Sequence, residues 1–278
     1  MVDFNIYEKE NFKIENDKSL LSLRNIESVK KRSEHLAKWC EKLILKNTLL
    51  KSPKVLSVGC GLGFDVFELI SRGFDAKGIE PVDRSDFWIK FHGQIKNLEN
   101  TYAVASDRNI PFNQKFDFIF AFEVLEHVGT IDHNTKVGKD TKKRREEFLS
   151  NLINKLNKNG ILIISCPNKL FPADFGHGHK YVPFSSFFYK KFRFSPTIPW
   201  SKENFLPSPF EIKNFLKRYD KKLDIKFIKD LGFFSFTRSR SIPIKKIPIL
   251  IFKIIVLLSK FLPIPSPHLV VMIKLKDF

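Results

Sequence analysis

Three alternating glycines, Gly59, Gly61 and Gly63, follow a short apolar run in the segment VLSVGCGLGFD. A glycine turn between a strand and a helix lets the backbone approach a bound ligand closely. A dinucleotide fingerprint has the spacing GxGxxG, and Phe64 stands where its third glycine would be. A phosphate-binding P-loop would continue with Gly-Lys-Ser or Gly-Lys-Thr, and neither follows. The loop therefore predicts a ligand that need not be a diphosphate.

Two acids that come after the next strand-like runs suit a nucleoside. Glu80 ends the run DAKGIE, where a carboxylate can accept hydrogen bonds from both hydroxyls of a ribose. Asp107 follows the run TYAVA and could accept a hydrogen bond from an exocyclic amine such as that of adenine, with Ile110 packed on the ring. Together with the glycine turn, these acids predict an adenosine site without phosphates.

Histidines are the candidate groups for acid–base chemistry. His127 lies in the segment EVLEH, and His177 and His179 lie in FGHGHKY, where Asp174 could orient one of them. We predict that these three histidines act as a base or position a substrate. A lone histidine is more often an ordinary surface or core residue, and His133 is interpreted in that way.

The segment EVLEH leaves a metal site open as a second possibility. On a helix, Glu123, Glu126 and His127 would share one face, and such a set could hold a divalent ion. We prefer the interpretation in which Glu123 and His127 line the cofactor and acceptor pocket. No resident metal is therefore predicted.

Strand and helix patterns alternate along the middle of the chain. Strand-like runs are KVLSV, DAKGIE, TYAVA, FDFIFAF and GILIISC, and helical patterns cover residues 64–71, 84–97 and 146–156. This alternation predicts a parallel sheet with helices on both faces. Amphipathic spacing before the glycine loop predicts an N-terminal helical cap in residues 1–50, followed by the main domain in residues 51–278.

The part of the chain after the fifth strand has a different character. Residues 167–207 are rich in Pro, Gly and aromatic residues, which predicts a lid on the acceptor side that is too irregular for strands. Ser208, Pro209 and Glu211 predict a capping box at the start of the next helix. The runs DIKFIKDLGFFSF and HLVVMIKLK predict two closing strands.

An apolar, basic helix is predicted at residues 247–263, inserted before the last strand. It is too short to span a bilayer. Lys246, Lys253 and Lys260 are spaced by seven residues and would lie on one side, as in a helix that lies in a membrane interface. Packing on the protein's own core or at a dimer contact is the alternative.

The composition describes a folded protein with room for one large domain of its 278 residues, of which 43% are hydrophobic and 28% charged. Its net charge of +18 would suit nucleic acid, an acidic membrane or an acidic substrate, but a general compositional bias toward Lys, Asn, Ile and Phe is the stronger explanation. Three cysteines without a CxxC pair argue against disulfides and structural zinc. The polar N-terminus does not resemble a secretory signal, which predicts a cytoplasmic protein.

Five motifs resemble, in this order, those of the class I S-adenosylmethionine-dependent methyltransferases of types 11 and 23: VLSVGCGLG, GIEP, ASDRNIPF, FDFIFAFEVLEHV and LNKNGILIISCPN. The resemblance covers roughly residues 50–170. It implies a Rossmann-like α/β fold in three layers, α/β/α, around a mostly parallel seven-stranded sheet whose antiparallel last strand lies beside the fifth. It also implies S-adenosylmethionine as the cofactor, bound by Gly59, Gly61, Gly63, Glu80, Asp107, Phe122 and Glu123.

One residue departs from the pattern of this family. Ser57 stands where relatives carry an acid that helps to hold the methionine ammonium group. The resemblance therefore leaves open how that group is held here.

The predicted function is methyl transfer to a small-molecule, glycan or lipid-linked acceptor, in the form of O-methylation, with peripheral binding to the inner face of the membrane. An RNA or protein methyltransferase is the alternative that the positive charge supports, although no RNA-binding module or NPPY-type amine motif is present. A non-catalytic cofactor-binding protein is the third alternative. It would require a broken cofactor site, whereas this sequence keeps the glycine loop, Glu80 and Asp107.

Overall fold

The parallel strands of the fold bring their carboxyl ends to one edge of a single sheet. The computed structural model describes residues 23–106, 109–131, 136–177, 179–192, 194–202, 204–219, 223–235, 246–262 and 264–276. Seven strands form the sheet in the order β3-β2-β1-β4-β5-β9-β8. They are β1 Lys54–Val58, β2 Asp75–Glu80, β3 Tyr102–Val104, β4 Phe116–Phe122, β5 Leu156–Pro167, β8 Leu223–Phe227 and β9 His268–Leu275. Strand β9 runs antiparallel to both β5 and β8, which confirms the predicted inserted last strand.

Helices cover both faces of the sheet because side chains alternate between its two sides. The helices are α1 Leu23–Asn47, α2 Phe64–Ser71, α3 Ser85–His92, α4 Thr141–Asn154, α5 Ser185–Phe192, α6 Pro209–Lys217 and α7 Lys246–Leu258. Val55 and Phe118 point into a core shared with α1, α2 and α3. Leu56 and Ile119 point into a core shared with α4 and α6. This three-layer α/β/α arrangement confirms the predicted fold class.

Several predicted boundaries were wrong. Helix α3 ends at His92 instead of continuing to residue 97, and a 3-10 turn, Leu98–Asn100, follows it. Helix α4 begins at Thr141, five residues before the predicted start, because its polar first turn has no apolar periodicity to detect. Thr141 holds that turn by donating its hydroxyl to the Gly129 carbonyl at 2.7 Å.

The lid of residues 167–207 contains more regular structure than its composition predicts. The short strands β6, Ala173–Asp174, and β7, Ser195–Pro196, pair in antiparallel fashion and frame helix α5. The prediction of no strands in this segment was therefore wrong. After the lid, the Ser208 hydroxyl accepts from the Glu211 amide at 3.1 Å and the Glu211 carboxylate from the Ser208 amide at 2.8 Å, which confirms the capping box.

The closing segments are shorter than predicted. In the described part of the run DIKFIKDLGFFSF, only residues 224–227 belong to a strand, which begins at Leu223, and Leu231–Phe233 forms a 3-10 turn. Helix α7 ends at Leu258, five residues before Pro263. Among the described residues, no helix combines the length and apolar character needed to cross a membrane.

Candidate functional site

The glycine loop between β1 and α2 forms one side of the cleft. Gly59, Gly61 and Gly63 all have a positive φ, at 69°, 54° and 76°. A Cβ at Gly59 would lie 2.5 Å from Val124, and a Cβ at Gly63 would lie 2.6 Å from the ring of Tyr102. A Cβ at Gly61 would meet nothing within 4 Å. Two glycines are thus required by packing, whereas Gly61 borders open space that a ligand can use.

Glu80 lies at the carboxyl end of β2 against this loop. Its carboxylate accepts hydrogen bonds from the amide of Gly61 at 2.9 Å and from that of Val82 at 3.4 Å. Burial raises the pKa of Glu80, and these two amide donors partly offset the rise. Each oxygen keeps a lone pair for a ribose hydroxyl, so the open space at Gly61 and the acid beside it fit an adenosine-type cofactor. The predicted adenine contact, Asp107, lies outside the described residues.

An acid that the sequence analysis did not single out stands beside Ser57. Asp65, in the first turn of α2, accepts a short hydrogen bond from the Ser57 hydroxyl through Oδ2. Its Oδ1 is closed off from solvent and has no hydrogen-bond partner among the described residues. Burial raises the pKa of Asp65, against the effect of the Ser57 hydroxyl. A carboxylate thus lies beside Ser57 on helix α2, although the strand itself carries no acid at this position.

The segment EVLEH forms turns in this structure, so the predicted shared helical face was wrong. Glu123 follows Phe122 at the end of β4 and has a left-handed φ of 58°, which breaks any helix at this residue. Its Oε1 accepts from the Ser165 hydroxyl at 2.8 Å and lies 2.8 Å from His268 Nε2. Burial alone would raise the pKa of Glu123, but the charge and contact of His268 lower it. Glu123 is therefore directed toward the start of β9.

Two histidines that lie 50 residues apart in the chain meet above this turn. His127 Nε2 lies 3.3 Å from His177 Nε2. His177 Nδ1 lies 3.1 Å from Asp174 Oδ2, which also accepts a hydrogen bond from the Tyr181 hydroxyl at 2.8 Å. Asp174 is fully buried, and it fixes the orientation of the His177 ring.

The third predicted histidine lies in the same cluster of side chains. His179 makes edge-to-face ring contacts with Tyr181, at 4.6 Å between centroids, and with Phe205, at 5.6 Å. Phe205 also packs against His127 and His177. The structure therefore brings all three histidines around one buried phenyl ring.

The acids around His177 control its charge. Burial alone would lower the pKa of His177, but the hydrogen bond and charge of Asp174, with the charges of Glu126 and Glu123, raise it to about 9. His177 is therefore protonated at neutral pH. Burial and the charge of Glu123 raise the pKa of Glu126.

Glu126 completes a set of groups that could hold a metal ion. Neither of its fully buried carboxylate oxygens has a hydrogen-bond partner among the described residues. One ligand atom each from Glu126, His127 and His177 lies within 4.8 Å of the others. A carboxylate with two imidazoles suits a divalent ion, and Asp174 would support His177 from behind.

Arg145 ties the turn to the lid, a role that its place in the basic run KKRREE did not indicate. Its guanidinium is buried and donates to the carbonyl of Glu126 at 2.7 Å and to that of Phe205 at 2.5 Å. His268 was missed as well, because it belongs to a strand that is distant in sequence. Periodicity gives no signal for either contact.

Comparison with known proteins agrees with this geometry. A family model described as a methyltransferase domain, of type 23, matches residues 29–195. A ubiquinone biosynthesis O-methyltransferase from Pelagibacter ubique (strain HTCC1062) is 32% identical over 120 residues, which are 43% of this chain and 44% of the relative. The protein of the same name from Rickettsia akari (strain Hartford) is 24% identical over 123 residues, 44% of this chain and 43% of the relative. The chain thus matches less than half the length of these curated relatives.

Solved structures show the same fold at low sequence identity. An S-adenosylmethionine-dependent methyltransferase from Clostridium acetobutylicum ATCC 824 aligns with a TM-score of 0.51 and 14% identity, over 88% of this chain and 92% of its own. The CcbJ methyltransferase from Streptomyces caelestis aligns with a TM-score of 0.51 and 11% identity, over 88% and 90%. With the glycine loop, Glu80 and the seven-stranded sheet in place, this chain belongs to the type 23 methyltransferase domain family and has the fold of S-adenosylmethionine-dependent methyltransferases.

Proposed function

We propose that this enzyme methylates a hydroxyl oxygen on an apolar small molecule. The convergence of His127 and His177 over Phe205, with Asp174 behind, is the observation that carries the proposal. The relatives named ubiquinone biosynthesis O-methyltransferase support an oxygen acceptor. The catalytic assignment of His127, His177 and His179 remains part of this proposal.

In this proposal, His177 contributes a positive charge to the acceptor site. The bound cofactor supplies an already activated methyl group, so the chain's own residues must position the acceptor and manage its proton. A protonated His177 favours an acceptor oxygen that carries negative charge, as an ionised phenol does. In this proposal His127, whose Nε2 lies 3.3 Å from that of His177, orients that oxygen or takes its proton.

The pocket wall suits a flat, apolar acceptor. Phe205 is fully buried, and its ring lies parallel to that of Tyr181 at 6.0 Å between centroids. Because Tyr181 is only partly buried, we propose that a further aromatic ring stacks on its face. We therefore propose an aromatic alcohol as the acceptor class, in free or lipid-linked form.

A kinetic comparison tests this assignment. With an alkylated catechol and radiolabelled S-adenosylmethionine, His177→Gln is expected to lower kcat by about 100-fold, the size of a lost acid–base contribution. Its affinity for the cofactor should match that of the wild type, since His177 lies on the acceptor side. The matched aniline is the control acceptor. Equal rates for the aniline and the catechol, or an unchanged kcat in the variant, would refute the oxygen acceptor or the role of His177.

A divalent ion is a second candidate for the same atoms, favoured by the Glu126 carboxylate, which lies 3.9 Å from His177 Nε2 and has no hydrogen-bond partner among the described residues. Held by Glu126, His127 and His177, it would orient the acceptor oxygen and lower its pKa. Chelator-treated enzyme would then regain activity and thermal stability with Mn²⁺ or Zn²⁺, and Glu126→Gln would not. Unchanged activity after chelation would leave the metal-free proposal standing.

Membrane association is the remaining part of the proposal. Helix α7 buries Phe252 and Val256 but exposes a row of large aliphatic side chains: Leu250, Ile251, Ile254, Leu257 and Leu258. A helix packed into the core would bury them, whereas one lying in the interface of a bilayer needs them outside. We propose that an anionic membrane surface receives this face and that the acceptor is drawn from it.

A further inference from the structure

We infer that lid helix α5 and helix α7 form one membrane-docking surface, so that the acceptor pocket faces the bilayer. This inference rests on the proposed membrane association of α7 and extends it to a second element. The two helices are separated by more than 50 residues of sequence.

A chain of aromatic contacts joins the two helices from beneath. Phe252 of α7 meets Phe175 edge to face, with 5.1 Å between ring centroids. Phe175 packs on Phe194 at 5.9 Å, and Phe194 packs on Phe188 of α5 at 5.5 Å. These rings make α5 and α7 parts of one packed layer.

The outer side of this layer is apolar on both helices. Phe187 of α5 is 58% exposed, and Phe184 just before it is 69% exposed. The lid also presents Trp200 at 83% exposure, and the residues after α7 present Phe261 at 80%. Aromatic side chains of this size are rarely left in water in such numbers, and they are the residues that anchor proteins at the bilayer interface.

The charge of the two segments selects the kind of membrane. No Asp or Glu occurs between residues 175 and 202 or between residues 231 and 276. Exposed lysines lie beside the apolar residues on both helices: Lys190 and Lys191 on α5, and Lys253 on α7. A basic rim around an apolar face attracts anionic headgroups.

The docking layer lies directly against the acceptor site. Phe175 follows Asp174, the partner of His177. Phe194 precedes Ser195, whose hydroxyl donates to the His177 carbonyl at 3.1 Å. A membrane that receives α5 and α7 would therefore lie next to the pocket that holds the three histidines.

Vesicle sedimentation of the full-length protein tests the inference. The probe is vesicles of phosphatidylcholine with 30% phosphatidylglycerol, compared with pure phosphatidylcholine. The first variant, Phe184→Glu with Phe187→Glu, alters only α5 and its approach; the second, Ile254→Asp with Leu257→Asp, alters only α7. Ile89→Asp is the matched control, because Ile89 is 62% exposed on α3, outside the layer.

The wild type and Ile89→Asp are expected to bind the anionic vesicles alike, and each double variant should bind at least about tenfold more weakly. If the α5 variant bound the anionic vesicles as strongly as the wild type, the shared surface would be overturned and α7 alone would remain as the docking element. No wild-type binding, with a dimer in solution that the α7 variant dissociates, would overturn membrane docking altogether. Calorimetric titration with S-adenosylmethionine verifies that every variant is folded.

Methyl transfer to a water-soluble catechol, without vesicles, separates this inference from the proposed chemistry. The surface variants should retain that activity, because their substitutions lie on the outer side of the layer. If the surface variants lost vesicle binding but still methylated the catechol, the docking surface would be supported whether the natural acceptor is free or lipid-linked. Failure of the wild type to methylate the catechol would count against the proposed acceptor and leave the vesicle result intact.

Discussion

At the scale of single residues, the position of the carboxylate, on Asp65 instead of at residue 57, has the clearest consequence for the cofactor. Strand β1 carries Ser57 where the family resemblance leads us to expect an acid. The nearby carboxylate belongs to Asp65, in the first turn of α2. Each oxygen of Glu80 accepts one amide and keeps one lone pair for a ribose hydroxyl, whereas Asp65 Oδ1 has no hydrogen-bond partner among the described residues. Asp65 is therefore the acid of the loop with capacity left for a cationic group.

Removing that charge should weaken cofactor binding selectively. Asp65→Asn is expected to lower affinity for S-adenosylmethionine by about tenfold or more, the value of one charged hydrogen bond. Affinity for 5′-methylthioadenosine, which lacks the ammonium group, should be unchanged in the same calorimetric titration. The exchange Ser57→Asp with Asp65→Ser should restore much of the loss. An equal loss for both ligands would show that Asp65 only supports the loop.

At the scale of elements, the glycine loop is held by its neighbours as much as by its own conformation. Tyr102 is buried, stacks on Trp88 at 4.8 Å between centroids and donates to the Gly63 carbonyl at 2.9 Å. Trp88 in turn donates to the Gly61 carbonyl at 3.2 Å. Trp88 of helix α3 and Tyr102 of strand β3 thus determine where the backbone of the loop lies.

Two alanine substitutions separate packing from ligand space in this loop. Gly63→Ala should lower the free energy of unfolding by about 2–4 kcal/mol, because its φ is left-handed and its Cβ would collide with the fixed Tyr102 ring. Gly61→Ala should cost only about 1–2 kcal/mol but should reduce affinity for S-adenosylmethionine, since its methyl enters the open space. Urea unfolding and calorimetry measure the two effects. Equal stability of the variants would contradict this division.

At the scale of the whole molecule, a buried histidine makes the stability of the α1–α3 side depend on pH. His92 is 1% exposed among aromatic rings, and its Nε2 donates to the Leu62 carbonyl at 3.0 Å. Burial lowers its pKa, so the native protein keeps it neutral where the unfolded chain binds a proton. Stability from this group is complete above the unfolded pKa of about 6.5 and is lost as pH falls toward the native value.

Between pH 7.5 and pH 5.5, His92 should therefore lower the free energy of unfolding by up to about 1.4 kcal/mol, while the raised pKa of His177 acts in the opposite direction. His92→Gln retains a donor for the Leu62 carbonyl but does not titrate, so its free energy of unfolding at pH 5.5, relative to that at pH 7.5, should be higher than that of the wild type. Urea unfolding at both pH values gives the comparison. A wild type and variant with the same pH dependence would show that His92 is not the titrating group.

The sequence by itself determined the features that depend on residues close together in the chain. The alternation of runs such as KVLSV with helix Phe64–Ser71, the glycine turn between them, Glu80 at a strand end and the capping box at Ser208 are all local patterns, and the structure has them at those positions. The motifs in their order were enough to predict the fold and the cofactor. Local spacing failed at Glu123, where a left-handed residue breaks the expected helix.

Tertiary structure alone decided which residues meet. His127 and His177 are 50 residues apart, and only the sheet edge and the β6–β7 pair bring their ring nitrogens within 3.3 Å. The same holds for His268 against Glu123, and for α7 against the lid. Periodicity describes one element at a time, whereas burial of shared apolar surface sets how elements pack. The acceptor side of this enzyme is therefore a property of the packed molecule.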